Sequence, residues 1–249
     1  MKKAPFLSVV VPCYNEEDNI KNGSLEALNS YLTCQSYSFE VIIVDDGSTD
    51  FSYEKIRAFS TKTRAFRLLR TKHQGKAGAV TKGVLSAQGE IVLFTDFDQA
   101  TPIQEIEKLL PFLNRYDVVI GSRRNEREGA PISRIIMARG FMALRNIVLD
   151  LSLFDTQCGF KAFKQQAVKT LFRTLRLYQN GETSSGSRVT AGFDVEILFL
   201  AKKLGYSIKE VPVAWHYVET RRVNPIRDSW EGFLDLVRIK LNDIRGVYH

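Results

Sequence analysis

The 249 residues are 44% hydrophobic and 25% charged, the balance of a chain that buries one sizeable core. A formal net charge of +7 favours phosphate-bearing partners: a nucleotide, a nucleic acid or an anionic membrane. Three scattered cysteines and three dispersed histidines exclude a disulfide framework, a zinc spacing and a histidine-built metal centre, and no run reaches the ~18–20 apolar residues that span a bilayer.

The first apolar run, Phe6–Val11, follows two lysines like a signal peptide, but Pro12 and the acids after it mark a buried first strand. Pro12 to Asn15 reads as a loop and Glu16–Thr33 as a helix. Phe39–Val44 is a second strand, and Thr49 or Asp50 caps a helix reaching about Ser60. Phe66–Leu69 is a third strand, Gly75–Ala87 a glycine-studded helix and Ile91–Thr95 a fourth strand. A helix over Ile103–Leu113 and a strand over Asp117–Gly121 follow. Strand and helix alternate with short connections, the pattern of an α/β fold with a mainly parallel sheet. In the second half, Pro131–Phe154, Gln165–Leu175, Phe193–Leu204 and Ile226–Arg245 read as helices, with strands over Cys158–Phe163 and Ser207–His216. Residues 179–192 are polar and glycine-rich, a loop placed to act as a lid. In the last helix Trp230, Phe233, Leu234, Val237, Leu241 and Ile244 form one narrow stripe, expected to pack on the sheet. Pro131–Phe154 has apolar residues on several sides and is expected to meet a membrane, with Arg134, Arg139 and Arg145 available to a lipid phosphate.

Ligands of such sheets sit beyond the carboxyl ends of the strands, where the polar clusters fall. Asp96 and Asp98 follow the fourth strand; an extended chain would put them on one face, about 7 Å apart. They either hold a divalent cation across a diphosphate or form a solvated turn. Tyr14 and Glu16 stack on and hydrogen-bond a base, or open a helix. Asp45 and Asp46 bind a base or ribose, or form a turn. Lys76, among glycines, meets phosphate or sits in a closely packed helix; its surroundings fit neither a P-loop nor a dinucleotide fingerprint.

In order, P-C-Y-N-E-E, V-D-D-G-S-T-D, G-K-A-G-A-V, T-D-F-D and G-S-R, through Phe6–Arg123, resemble the inverting family 2 glycosyltransferases of the GT-A fold. D-T-Q-C-G-F-K from Asp155, F-D-V-E from Phe193 and V-N-P-I from Val223 resemble the polyprenyl-phosphate branch. The resemblance implies one GT-A domain over 1–249, with residues 1–123 as the nucleotide-sugar half and 124–249 as the acceptor half. It implies transfer of a hexose, glucose from UDP-glucose by analogy, to a polyprenyl or dolichyl phosphate with inversion. Pro12, Tyr14, Glu16, Asp45, Asp46, Lys76 and Asp96 would bind the nucleotide sugar. Asp96 and Asp98 would hold Mg²⁺ or Mn²⁺, with Asp98 and Asp155 as catalytic residues, and Arg123, Arg139 and Arg222 would hold the acceptor phosphate. The enzyme would sit peripherally on the cytoplasmic face of a membrane and bind no nucleic acid. Two departures stand out: Ala100 replaces a glutamine that metal-binding mannose synthases add after D-x-D, and the 179–192 loop is long. GDP-mannose or UDP-N-acetylhexosamine as donor, a sugar acceptor, and a basic binding module without catalysis are the alternatives.

Overall fold

The computed structural model describes residues 4–123, 132–177, 191–216 and 225–248. Among these residues seven strands form one sheet: β1 (Leu7–Cys13), β2 (Phe39–Asp45), β3 (Phe66–Arg70), β4 (Ile91–Phe94), β5 (Val118–Ser122), β6 (Lys161–Lys164) and β7 (Ile208–Pro212). Their order is β3-β2-β1-β4-β6-β5-β7. All pairings are parallel except those of β6, which runs antiparallel to both β4 and β5. The expected mainly parallel α/β sheet is therefore present, with one reversed strand inserted near its middle.

Side chains alternate along each strand, so each central strand feeds two cores. Val10, Ile42 and Val44 face helices α4 (Gly75–Ser86), α7 (Gln165–Thr174), α8 (Ala191–Lys203) and α9 (Pro225–Ile244). Val9, Val11, Val41 and Ile43 face α2 (Ser24–Thr33), α3 (Ser52–Lys62) and α5 (Ile106–Leu109).

Several boundaries differ from the sequence reading. β1 continues through Pro12 to Cys13. Proline is tolerated there because β4 pairs with β1 only as far as Val10, leaving Pro12 a neighbour on one side alone. The single helix expected from Glu16 is two, α1 (Glu17–Lys21) and α2, broken at Gly23 with φ +86°. Ile103–Asn114 is a short α5 between two 3₁₀ turns. The strand expected from Cys158 starts only at Lys161.

Two expectations about the helices of the second half are corrected. The stripe of α9 is not the buried face: the buried positions are Gly232, Asp235, Leu236 and Ile239, whereas Phe233, Leu234 and Val237 are half-buried and Trp230, Leu241 and Ile244 exposed. On helix α6 (Ile132–Leu149), Arg145 is buried and donates to Thr156 Oγ1 at 2.8 Å and to the Leu153 carbonyl, so it holds the following turn and is not available to a lipid phosphate. Arg134 lies in α6, but its side chain is outside the described residues, as is most of the 179–192 loop.

Candidate active site

Six strands point their carboxyl ends to one edge, and the antiparallel β6 brings its amino end there. Strand order decides which side chains meet.

At β2 stands Asp45, fully buried. Its Oδ1 accepts the Ser48 N–H at 3.2 Å. Arg70 Nε lies 3.2 Å from Oδ2 as an ion pair, yet that oxygen receives no hydrogen bond. A buried carboxylate oxygen without a donor is costly, and it suits a ligand N–H. Asp46 differs. Its oxygens accept the Gln74 and Gly75 N–H groups at 2.9 and 2.7 Å and meet His73 Nδ1 at 2.9 Å. Burial raises its pKa, partly offset by those hydrogen bonds. Asp46 thus shapes the loop before α4. His73 stacks on Tyr14, with ring centroids 4.2 Å apart, and its Nε2 is buried without a partner. Asn15 locks the two loops together: its N–H donates to Ser48 Oγ and its Oδ1 accepts the Thr49 N–H. Glu16 opens α1, its Oε2 accepting from Asn19 Nδ2 at 2.5 Å. Pro12 lies in β1 opposite Val44.

At β4 the expected geometry of the acid pair is corrected. The strand stops at Phe94, so Asp96 and Asp98 lie on the turn after it, and strand alternation does not apply to them. Asp98 Oδ1 accepts the Ala100 N–H at 3.0 Å, and Gln99 takes φ +52°. Lys76 Nζ sits 2.5 Å from Asp96 Oδ1. Burial works against the Lys76 charge, but Asp96, Asp194 and Asp98 outweigh it and raise its pKa. Gly159 packs directly on Asp96: a Cβ there would fall 2.0 Å from Oδ2. Behind this turn Lys161, fully buried, donates to Asp194 Oδ1 and to the Cys158 carbonyl, each at 2.5 Å.

At β5 and β7, Arg123 forks onto Asp155, Nε to Oδ2 at 2.7 Å and NH2 to Oδ1 at 2.8 Å, and its own N–H adds a third bond at 3.0 Å. Burial pushes the Asp155 carboxyl up, but Arg123 overrides it and holds the pKa down at about 2. Glu210 of β7 accepts the N–H groups of Phe154 and Asp155 at 2.9 and 2.7 Å. The Arg123 guanidinium lies 5.6 Å from the Trp215 ring centre. The His216 N–H donates to the Ala100 carbonyl, tying the end of β7 to the acid turn. The Arg139 side chain and all of Arg222 lie outside the described residues.

The edge therefore gathers Tyr14, Asp45, Lys76, Asp96, Asp98, Arg123 and Asp155 along successive strands. Sequence reasoning missed Lys161 and Asp194 as a pair, although both lie in the G-F-K and F-D-V-E stretches; they are 33 residues apart, and only β6 and α8 bring them together. It also missed His73, Glu210 and Trp215. Among the described residues no group of three or more His, Cys, Asp or Glu side chains is placed to hold a metal. The acid turn offers two carboxylates, the donor type a hard divalent cation takes, and Asp96 is paired with Lys76 and has its side chain 38% exposed.

This sheet with that edge defines a glycosyltransferase of the GT-A type. Residues 8–172 match the family model for glycosyl transferase family 2, and the chain belongs to that family. It is 33% identical over 268 residues to a dolichyl-phosphate beta-glucosyltransferase of Saccharomyces cerevisiae, covering 98% of this chain and 76% of that one. A Homo sapiens protein of the same description is 33% identical over 264 residues, covering 97% and 77%. Among solved structures, glucosyl-3-phosphoglycerate synthase from Mycobacterium tuberculosis, in complex with Mn²⁺, UDP and glucosyl-3-phosphoglycerate, superposes with a TM-score of 0.62 at 20% identity, over 94% of this chain and 80% of that one.

Proposed function

We propose that the chain transfers glucose from UDP-glucose to a polyprenyl phosphate of the dolichyl type, inverting the anomeric centre, at the cytoplasmic face of a membrane. The observation that carries this reading is the order of groups along the edge. The orphaned Asp45 oxygen stands at β2, the acid turn with Lys76 at β4, and Arg123 at β5. From β2 to β5 is four strand spacings, about 19 Å, room for a base, a diphosphate, a sugar and an acceptor phosphate in line. The relatives described as dolichyl-phosphate beta-glucosyltransferases support the donor and acceptor.

Asp45 Oδ2 accepts the imide N–H of uracil, and Tyr14 with His73 forms the aromatic wall beside it. Lys76 neutralises part of the diphosphate. Asp96 and Asp98 would hold a divalent cation, which supplies charge neutralisation of the leaving UDP. An acceptor phosphate oxygen forms the bond to the anomeric carbon as the bond from that carbon to the diphosphate oxygen breaks, the electron pair leaving with UDP. No strong base is required, since a phosphate monoester with a second pKa of roughly 6 is mostly dianionic at neutral pH. Asp155 acts as an orienting anion: it fixes the Arg123 guanidinium, which we assign to the acceptor phosphate, the role also proposed for Arg139 and Arg222. Among the described residues no helix is long and apolar enough to cross a membrane.

The test is incubation of the enzyme with radiolabelled UDP-glucose, GDP-mannose or UDP-N-acetylglucosamine, each with detergent-solubilised polyprenyl phosphate, with Mn²⁺, with Mg²⁺ and with EDTA. Metal-dependent label in a β-linked glucosyl lipid, from UDP-glucose alone, is the expected result. Lipid label from another donor, or none from any, overturns it.

A further inference from the structure

The outward stripe of α9 has a structural neighbour that helical spacing alone does not show. Trp230, Leu234, Val237, Leu241 and Ile244 are spaced four, three, four and three residues apart, one face of a helix. Both ends of that face are open to solvent: Trp230 is 62% exposed, Leu241 42% and Ile244 71%, with Leu234 and Val237 half-buried between them, while Leu236 and Ile239 on the opposite side are fully buried. Cations flank the stripe on both sides, Arg238 and Arg245 on one and Lys240 on the other. Beside Arg238 and Arg245 opens a cavity of ≈ 370 Å³ whose polar lining is Arg176, Arg238, Asn242 and Arg245, with Leu241 at its rim. Among the described residues no carboxylate lines it. Arg238 is paired with Asp235 at 3.2 Å, but Arg245 has no ion-pair partner among the described residues.

An apolar stripe in water beside a cationic cavity is unfavourable unless something covers both. A neutral protein partner would cover the stripe and leave the arginines; a soluble anion would do the reverse. A bilayer with anionic lipids satisfies both at once, through apolar burial and headgroup attraction. Trp230, with an apolar ring and a polar N–H, suits the same boundary. We propose that this face of α9 docks on an anionic bilayer, with Trp230, Leu241 and Ile244 entering the headgroup region and the Arg176–Arg238–Arg245 cavity receiving a phospholipid phosphate. The proposal rests on the lipid-acceptor reading only for the presence of a bilayer. This phosphate site is separate from the acceptor position at Arg123. The docked helix is rigidly joined to the active site, because α9 packs on α8, the helix of Asp194, through Lys203–Asp243 at 2.5 Å and Tyr248 Oη–Glu196 at 2.7 Å.

The experiment is vesicle flotation of the full chain on phosphatidylcholine with and without phosphatidylserine, at low and high salt. It compares wild type with Leu241→Glu/Ile244→Glu and Arg238→Gln/Arg245→Gln, each checked for an unchanged melting temperature. Transfer to a detergent-solubilised acceptor is measured in parallel. Wild type is expected to float with phosphatidylserine and to detach in high salt. The stripe variant floats on neither vesicle. The arginine variant loses its preference for phosphatidylserine by roughly 25-fold, for two basic groups near the surface. Both keep the detergent-phase rate, which separates failed docking from a wrong reaction. Flotation unaltered in both folded variants overturns the proposal. So does a wild-type dimer that the stripe variant abolishes, since the face would then join two copies of the chain.

Discussion

Gly159 lies against the carboxylate of Asp96 so closely that a single methyl group would fall 2.0 Å from Oδ2. The Cys158–Gly159 turn is thus a backing plate for the first acid of the pair. Gly159→Ala is expected to push Asp96 off its position while leaving the fold intact. Calorimetric titration of UDP with Mn²⁺ should show at least tenfold weaker binding. Binding equal to wild type would mean that the position of Asp96 is set elsewhere.

Asp45 Oδ2 is buried and lacks a hydrogen-bond donor, so the donor base is expected to supply one. Asp45→Asn keeps the shape, but its one remaining acceptor stays on the Ser48 N–H, so its NH₂ is set against the base N–H. The donor KM should rise by about 10- to 100-fold, the size of one charge-assisted hydrogen bond with a buried partner, with kcat changing less. The preference for UDP-glucose over other nucleotide sugars should fall with it. An unchanged KM would leave Asp45 as a turn residue bound to Ser48.

Lys161 and Asp194 form a buried pair whose lysine also holds the Cys158 carbonyl. Removing one partner leaves an uncompensated buried charge, and Lys161→Met or Asp194→Leu alone should destabilise by about 3–5 kcal/mol. The double variant removes both charges and should regain most of that stability in urea titration. If the pair also sets the acid turn, the double variant will fold yet bind Mn²⁺·UDP weakly. Full binding by the double variant would assign the pair to stability alone.

Asp155 titrates at about 2 because Arg123 outweighs its burial. Its folded pKa lies below the unfolded value near 4, so the stability it contributes is complete above about pH 4 and is lost as pH falls toward 2. The expected loss is about 2 kcal/mol over that window. Denaturant midpoints between pH 5 and 2 should fall less steeply in Asp155→Asn than in wild type. Parallel curves would show that the fork adds nothing to folding.

Much of this site is legible in the sequence. Each parallel strand announces itself as a run such as Val41–Val44, and the residues that follow such runs must gather at one edge. That logic finds Asp45, Asp96 and Arg123 without coordinates. It fails where a side chain's task depends on a distant neighbour. Asp45 and Asp46 look equivalent in the chain, yet one keeps an open oxygen and the other is filled by the backbone of residues 74 and 75. The stripe of α9 has the spacing of a core face, and spacing gives no side; only packing against α8 shows that the less conspicuous Leu236 and Ile239 are the inward pair.

β6 is drawn from residues 161–164 but lies between β4 and β5, which end by residue 122. While the chain is being made, the nucleotide-sugar half therefore exists with a gap in its sheet, β4 open on one edge and β5 on both. The segment that closes the gap leaves the ribosome about 40 residues later, or some 2–8 seconds at ordinary synthesis rates. Exposed edges of this kind recruit other strands. A fragment ending near residue 123 should aggregate rather than fold, and the refolding of the whole chain should be limited by the late, long-range insertion of β6.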